Sequence, residues 1–352
     1  MMATPGTSYK FLLQWHITAH CDQHCLHCYY GISEDAGRND LQYEDCKTII
    51  DDFDRMLKSW GIEGRINFTG GDPLLHPDWA KIMEYAAEKE IDIGILGNPN
   101  HLDSETIKFL KNLNLVYYQL SIDGMQEIHD YFRGDGHFQK TVNALHLLQE
   151  NGIKTGVMFT LSKINKDSLI DVIHFVSEKG VNFFDFSRLV PVGSGEQFSN
   201  QSFTPEDYRD LLMKVANVYD EIQSSNPTTI FGRKDPLWAL LYKELHKTPI
   251  TRTDDDLIYT GCVAGNHLCI LENGTVLPCR RLPIKIGKVP EQSLRRIFIE
   301  SPILMDLRDF NKIEKCGGCN LVQYCRGCRG IAYATTGSLR GADPACWHCD
   351  TT

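Results

Sequence analysis

The chain has 352 residues, a formal net charge of −10 and an ordinary apolar share of 42%. That length supplies core enough for one large domain or for a barrel with a smaller unit attached. The acidic balance, without a basic stripe, argues against nucleic acid as a partner, and no apolar run approaches the length that spans a membrane.

The opening, MMATPGTSYKFLLQWHIT, has a short apolar run broken by Gln14 and His16 and no small-residue cleavage site. It predicts no signal peptide and a cytoplasmic location. In that reducing compartment thirteen cysteines read as metal ligands rather than disulfides. Three lie at positions 21 to 28, one at 46 and nine between 262 and 349. Sulfur chemistry is therefore expected at two places, with a long scaffold between them.

From Phe11 onward, strand-like and helix-like stretches alternate. FLLQWHIT, RINFTG, IDIGILGN, LVYYQLSID, KTGVMFTL and VNFFDFSRL read as strands. Cys46, Ile49, Ile50, Phe53 and Leu57 recur at helical spacing, which makes Cys46 a core residue. Thr204-Pro205-Glu206 reads as a helix start, with an N-cap, Pro at the first position and an acidic first turn. Six such units predict an α/β fold, a partial (β/α)6 TIM-like barrel, over residues 1–224. Its open side would admit a large substrate. Residues 225–258 read as a bridging region. Residues 259–352 form a small Cys-rich unit, with a hairpin at LENGTVLPC turning on Asn273-Gly274. Such a segment buries little apolar core, so metal clusters would explain how it stays folded.

Cys21, Cys25 and Cys28 directly follow the first strand, on the rim where barrel active sites sit. Three thiolates leave one coordination position open on a metal that does chemistry. A zinc site completed by His20, His24 or His27 is the plainer alternative. The spacing Cys-x3-Cys-x2-Cys resembles the signature of radical S-adenosylmethionine (SAM) enzymes, and the resemblance extends over nearly the whole chain. It implies that Cys21, Cys25 and Cys28 bind a four-iron (4Fe-4S) cluster whose fourth iron is chelated by SAM. His27 stands where the family usually has an aromatic residue. Gly70, Gly71 and Asp72, followed by Pro73, are similar to the family's Gly-Gly-Glu-Pro motif, which holds the SAM ammonium group; Asp72 is shorter than the usual Glu. The resemblance further implies SAM contacts from Asn98, from Ser121 and Asp123, and from Arg188, each at a strand end. For each of these the plain alternative is a strand-end turn or cap.

The C-terminal cysteines are Cys262, Cys269, Cys279, Cys316, Cys319, Cys325, Cys328, Cys346 and Cys349. Their pattern is similar to the SPASM extension of radical SAM enzymes, which carries two auxiliary four-iron clusters. Three clusters and SAM are thus the implied cofactors. By the resemblance, Cys262, Cys269, Cys279 and Cys328 would hold one auxiliary cluster. Cys316, Cys319, Cys325 and one of Cys346 or Cys349 would hold the other. Only Arg326-Gly327 separates Cys325 from Cys328, one residue fewer than the family pattern. A pair of structural zinc sites remains the alternative.

The implied reaction begins with an electron from a partner such as flavodoxin or ferredoxin. SAM is split to methionine and a 5′-deoxyadenosyl radical, which removes hydrogen from an unactivated C–H bond. Most SPASM enzymes act on peptides or proteins, so oxidative peptide modification, a crosslink or a dehydrogenation, is the leading expectation. About ten residues precede the first strand, so a substrate leader would need a separate binding protein or the barrel itself. CRGCRGIAYATTG is similar to a segment of haem-modifying SPASM enzymes, which makes tetrapyrrole chemistry the alternative. Anaerobic sulfatase maturation is disfavoured because Arg280, not an acid, follows Cys279. A zinc or iron–sulfur protein without enzymatic activity completes the list. Asp123, Arg188, Arg280 and Tyr333 are the candidates near a substrate.

Overall fold

A computed structural model describes residues 10–31, 39–113, 115–225, 227–246 and 261–348. Its first half is a run of parallel strands, each followed by helix: β1 (Lys10–Thr18), α1 (Tyr43–Trp60), β2 (Glu63–Gly70), α2 (Trp79–Glu88), β3 (Asp92–Leu96), α3 (Ser104–Asn112) and β4 (Tyr117–Ser121). Then come α4 (Gln126–Arg133), α5 (His137–Glu150), β5 (Thr155–Leu161), α6 (Leu169–Glu178), β6 (Phe183–Arg188) and α7 (Pro205–Ser224). All six expected strands are present, and β1 to β6 pair in sequence order. This is the expected TIM-like α/β architecture.

The strands alternate as a barrel wall must. Along β1, Phe11, Leu13, Trp15 and Ile17 are buried in the core against the helices, with Phe11 packing on Phe53 of α1. Gln14 and His16 take the opposite face, toward the barrel interior. Cys46 is fully buried on the inner stripe of α1, as its spacing predicts. Thr204 accepts a hydrogen bond from the Asp207 N–H (3.1 Å), the cap its sequence announces.

The segment expected as a bridge contributes β7 (Ile230–Phe231), a further parallel strand beside β6, and α8 (Trp238–Glu244). The later elements are β8 (Leu268–Ile270), β9 (Thr275–Leu277), β10 (Gly287–Lys288), α9 (Leu294–Glu300), α10 (Pro302–Arg308) and α11 (Arg329–Thr336). The predicted hairpin is β8–β9, with Gly274 at φ +84° and the Asn273 side chain accepting from Thr275 N (3.0 Å). β8 pairs in parallel with β1, so one sheet runs β10-β9-β8-β1-β2-β3-β4-β5-β6-β7. Cys269 lies in register with Gln14. From the same hairpin Arg281 reaches across to β6, donating to Ser187 Oγ (3.2 Å) and to the Arg188 carbonyl (3.3 Å). The side a partial barrel leaves open is thus partly spanned by the C-terminal region. Among the described residues no helix is long and apolar enough to cross a membrane.

Candidate radical SAM and iron–sulfur sites

Cys21, Cys25 and Cys28 are half-buried on the loop that leaves the C-terminal end of β1. The two glycines after β2 explain how that loop is held. Gly71 N–H donates to the Thr18 carbonyl (2.9 Å) and Asp72 N–H to the His20 carbonyl (2.8 Å). A Cβ on Gly71 would stand 2.1 Å from the His20 carbonyl oxygen, and one on Gly70 2.1 Å from that of Thr18. Only glycine permits this edge-on contact with the residues that lead into Cys21. The two motifs are one piece of architecture.

Asp72 is fully buried. One carboxylate oxygen accepts from Leu74 N (2.8 Å) and the other from Asn98 N (2.9 Å). Burial outweighs these bonds and pushes its pKa up to about 6. The Asn98 side chain donates to Asp22 in the cysteine loop (2.8 Å), as does that of Asn100 (3.0 Å), and His101 pairs with the same carboxylate (2.9 Å). The loop after β3 thereby grips the cysteine loop through Asp22, a residue that carries no motif in the sequence.

Ser121 is half-buried at the end of β4. Asp123, just beyond it, is fully enclosed. It accepts from Arg133 Nε (2.6 Å) and Thr160 N (2.7 Å) and pairs with His27 (3.1 Å). Burial would raise its pKa, but Arg133 and His27 hold the carboxyl well below the usual range. Arg133 also donates to Cys25 Sγ (3.5 Å). Sequence reasoning missed Arg133, whose place beside a cysteine 108 residues away is set only by the tertiary fold. Arg188 is buried at the end of β6, with its guanidinium committed to four hydrogen bonds to Asp235 and Asp343, the shortest 2.8 Å. Asp343 in turn accepts from Cys328 N (2.7 Å), so this pair fastens the barrel rim to the C-terminal cysteines.

Two further cysteine groups form in the C-terminal region. Cys262, Cys269, Cys279 and Cys328 gather around the hairpin and the start of α11. Cys262 N–H donates to the Cys325 carbonyl (3.3 Å), and Arg329 N–H to Cys262 Sγ (3.5 Å). Burial pushes the Cys262 thiol up to about 12. Burial also opposes ionisation of Cys279, yet the hydrogen bond with His267 and the neighbouring Arg281 bring it down to about 6. Cys316, Cys319, Cys325 and Cys346 together line one cavity, with Leu240, Leu321 and Val322 as its apolar wall. Cys349 lies outside the described residues.

Among the described residues no three His, Cys, Asp or Glu side chains converge tightly enough for one metal ion. Four ligands on a single zinc, each at about 2.3 Å, must crowd together. Thiolates that grip separate corners of a four-iron cluster stand further apart. The four cysteines that line one cavity are the kind of donor set a four-iron cluster takes.

Residues 15–176 match the radical SAM superfamily, and residues 262–320 match the iron–sulfur cluster-binding SPASM domain. The chain is a radical SAM enzyme with a C-terminal SPASM domain. An AdoMet-dependent heme synthase of Methanosarcina barkeri is 27% identical to it over 95% of each chain. The mycofactocin maturase MftC of Mycobacterium tuberculosis is 26% identical over 97% of this chain and 84% of its own. The solved structure of Streptococcus suis SuiB bound to S-adenosylmethionine shares the fold, with a TM-score of 0.77 at 20% identity over 97% of this chain and 78% of that one.

Between the radical SAM cysteines and the SPASM cysteines lies the barrel interior. Gln14 and Asn67 are register partners on β1 and β2, each about 7% exposed. The Gln14 side-chain N–H and the Asn67 side-chain carbonyl have no hydrogen-bond partner. His16 is fully buried; Tyr29 lies beside one ring nitrogen (3.4 Å) and the other has no partner. Burial, with Arg280 nearby, lowers its pKa to about 3, so this histidine is neutral. Arg280 lies over the ring of Tyr29, 5.4 Å from its centroid. Asp185 and Lys234 complete the interior, with Lys234 N donating to the Asp185 carboxylate (3.2 Å).

Proposed function

We propose that this radical SAM enzyme oxidatively modifies a peptide or protein substrate, forming a crosslink or an unsaturation. One observation carries the reading: the SPASM hairpin joins the barrel sheet as β8, which sets Cys269 in register with Gln14, a residue of the barrel interior. The site where hydrogen would be removed and the site where an electron would be taken back are then one strand apart.

Cys21, Cys25 and Cys28 would hold the SAM-binding cluster. Cys262, Cys269, Cys279 and Cys328 would hold one auxiliary cluster, and Cys316, Cys319, Cys325 and one of Cys346 or Cys349 the other; Cys346 lines the same cavity as the first three. When bound, these groups supply the one-electron and radical chemistry that side chains lack. The chain's own residues position and shield it. Gly70 and Gly71 bring the second loop against the first. Asp72, Asn98 and Asp22 tie the rim together, and Ser121 and Asp123 form its next corner. The Arg188–Asp343 pair holds the SPASM region against the barrel.

The unpartnered Gln14 donor and Asn67 acceptor supply the two complements of one amide unit, which supports a peptide. The mycofactocin maturase relative agrees with it. A second reading, tetrapyrrole modification, is favoured by the heme synthase relative and by Fe-coproporphyrin III synthase of Methanosarcina barkeri, 28% identical over 96% of this chain. The thiolate ligands and an external reductant such as flavodoxin or ferredoxin suit the cytoplasm. A leader-binding protein would be a further partner on the peptide reading.

Mass spectrometry separates the substrate classes. With reductant and SAM, a peptide substrate loses mass in steps of two hydrogens. No loss from any candidate peptide, together with an absorbance change on adding a tetrapyrrole, would replace this reading with the second.

A further inference from the structure

Two cations, Arg280 and Lys234, face the barrel interior without a salt bridge; Asp185, whose carboxylate takes the Lys234 backbone N–H, is the acidic neighbour that acts on Lys234. Arg280 and Arg281 are adjacent, but the structure uses them differently. Arg281 is anchored to Ser187 and to the Arg188 carbonyl, and its strongest electrostatic neighbours are Cys328, Cys279 and Cys262. It balances the SPASM thiolates. Arg280 turns instead toward the radical SAM side, over Tyr29 of the cysteine loop. Among the described residues neither the Arg280 guanidinium nor Lys234 Nζ has a carboxylate within ion-pair distance or a hydrogen-bond acceptor. Burial, and repulsion from Arg280 and Arg281, lower the Lys234 pKa to about 7. A half-buried cation with so little compensation is stabilised by any anion that reaches it. One side-chain atom each of the buried residues Gln14, His16 and Asn67 in the same interior also lacks a hydrogen-bond partner.

We propose that Arg280 and Lys234 form a subsite that binds a carboxylate of the substrate, seated between the radical SAM cysteines and the SPASM hairpin. The planar guanidinium offers the two parallel N–H groups a carboxylate takes, and the lysine supplies a second point of charge. The neutral donors and acceptors deeper in the barrel then receive the uncharged part of the substrate. The inference rests on the functional reading above and names the group by which that substrate is held. An Asp or Glu side chain of a peptide and a propionate of a tetrapyrrole present the same chemistry.

The test uses anaerobically reconstituted full-length enzyme and two probes. The first is a library of N-acetylated, C-amidated peptides, in which Asp and Glu are the sole carboxylates. The second is haem against haem dimethyl ester. Wild type is compared with Arg280→Gln and Lys234→Gln, and iron content verifies that each variant is folded. Enrichment of Asp or Glu among retained peptides, lost in both variants by about tenfold or more, supports the subsite with a peptide source. A preference for haem over its dimethyl ester that both variants lose supports it with a tetrapyrrole source and removes the peptide reading. Peptides retained without acidic preference, or with a preference both variants keep, overturn the subsite and leave the peptide reading standing. Failure of wild type to distinguish free carboxylates from blocked ones with either probe also overturns it.

Discussion

Single residues set the electrostatics of the rim. Arg133 is the one cation hydrogen-bonded to a radical SAM cysteine among the described residues. A positive charge there favours the reduced cluster, so Arg133→Gln should lower the reduction potential of the N-terminal centre. Each kcal/mol of lost stabilisation corresponds to roughly 40 mV for a one-electron couple. Arg133→Lys, which keeps the charge, should recover most of the shift in a redox titration followed by electron paramagnetic resonance. Asp72 predicts a pH effect. Its folded pKa, about 6, lies above the 3.8 of an ordinary aspartate. Between these pH values the folded, SAM-free protein binds the extra proton, so stability falls as pH rises, by on the order of 3 kcal/mol from this group. Urea unfolding of Asp72→Asn should lack that slope; identical slopes would show that the carboxyl does not titrate there. Such roles were unevenly legible. The three cysteines announce themselves by spacing, whereas Asp22, Arg133 and Lys234 acquire theirs from partners that only the folded chain supplies.

At the scale of elements, strand and helix periodicities carry the barrel, because each β1-to-β6 strand has a buried face that the sequence must write out. β7 escapes such reading, since two residues show no period. The β8–β9 turn was legible from Asn273-Gly274, but the parallel pairing of β8 with β1 was not. That contact joins segments about 250 residues apart, and no local pattern encodes it. Gly274 is where the hairpin is most exposed to test. Its φ is +84°, and a Cβ would lie 2.1 Å from the Val289 carbonyl oxygen. Gly274→Ala should misplace Cys269 and Cys279 and cost the protein about four irons, while SAM-dependent spectral changes of the N-terminal centre persist. Full iron content in that variant would mean that the hairpin does not shape the auxiliary site.

Across the whole molecule, the Arg188 fork joins barrel and C-terminal region through Asp235 and Asp343. Arg188→Met would leave two buried carboxylates without their cation, a loss of about 3–5 kcal/mol. Calorimetry should then resolve two transitions where wild type shows one. The family resemblance implies a SAM contact from Arg188, and the structure shows its guanidinium bonded to Asp235 and Asp343. Asp343 lies 155 residues away, so this joint is invisible to local sequence patterns. The proposed chemistry depends on three cysteine groups ordered around one barrel interior. Its most direct test is iron and sulfide per chain after anaerobic reconstitution, repeated with Cys25→Ala, Cys279→Ala and Cys325→Ala. The prediction is about twelve irons with matching sulfide in wild type and about eight in each variant. Four irons in wild type, or zinc in place of iron at the C-terminal groups, would contradict it.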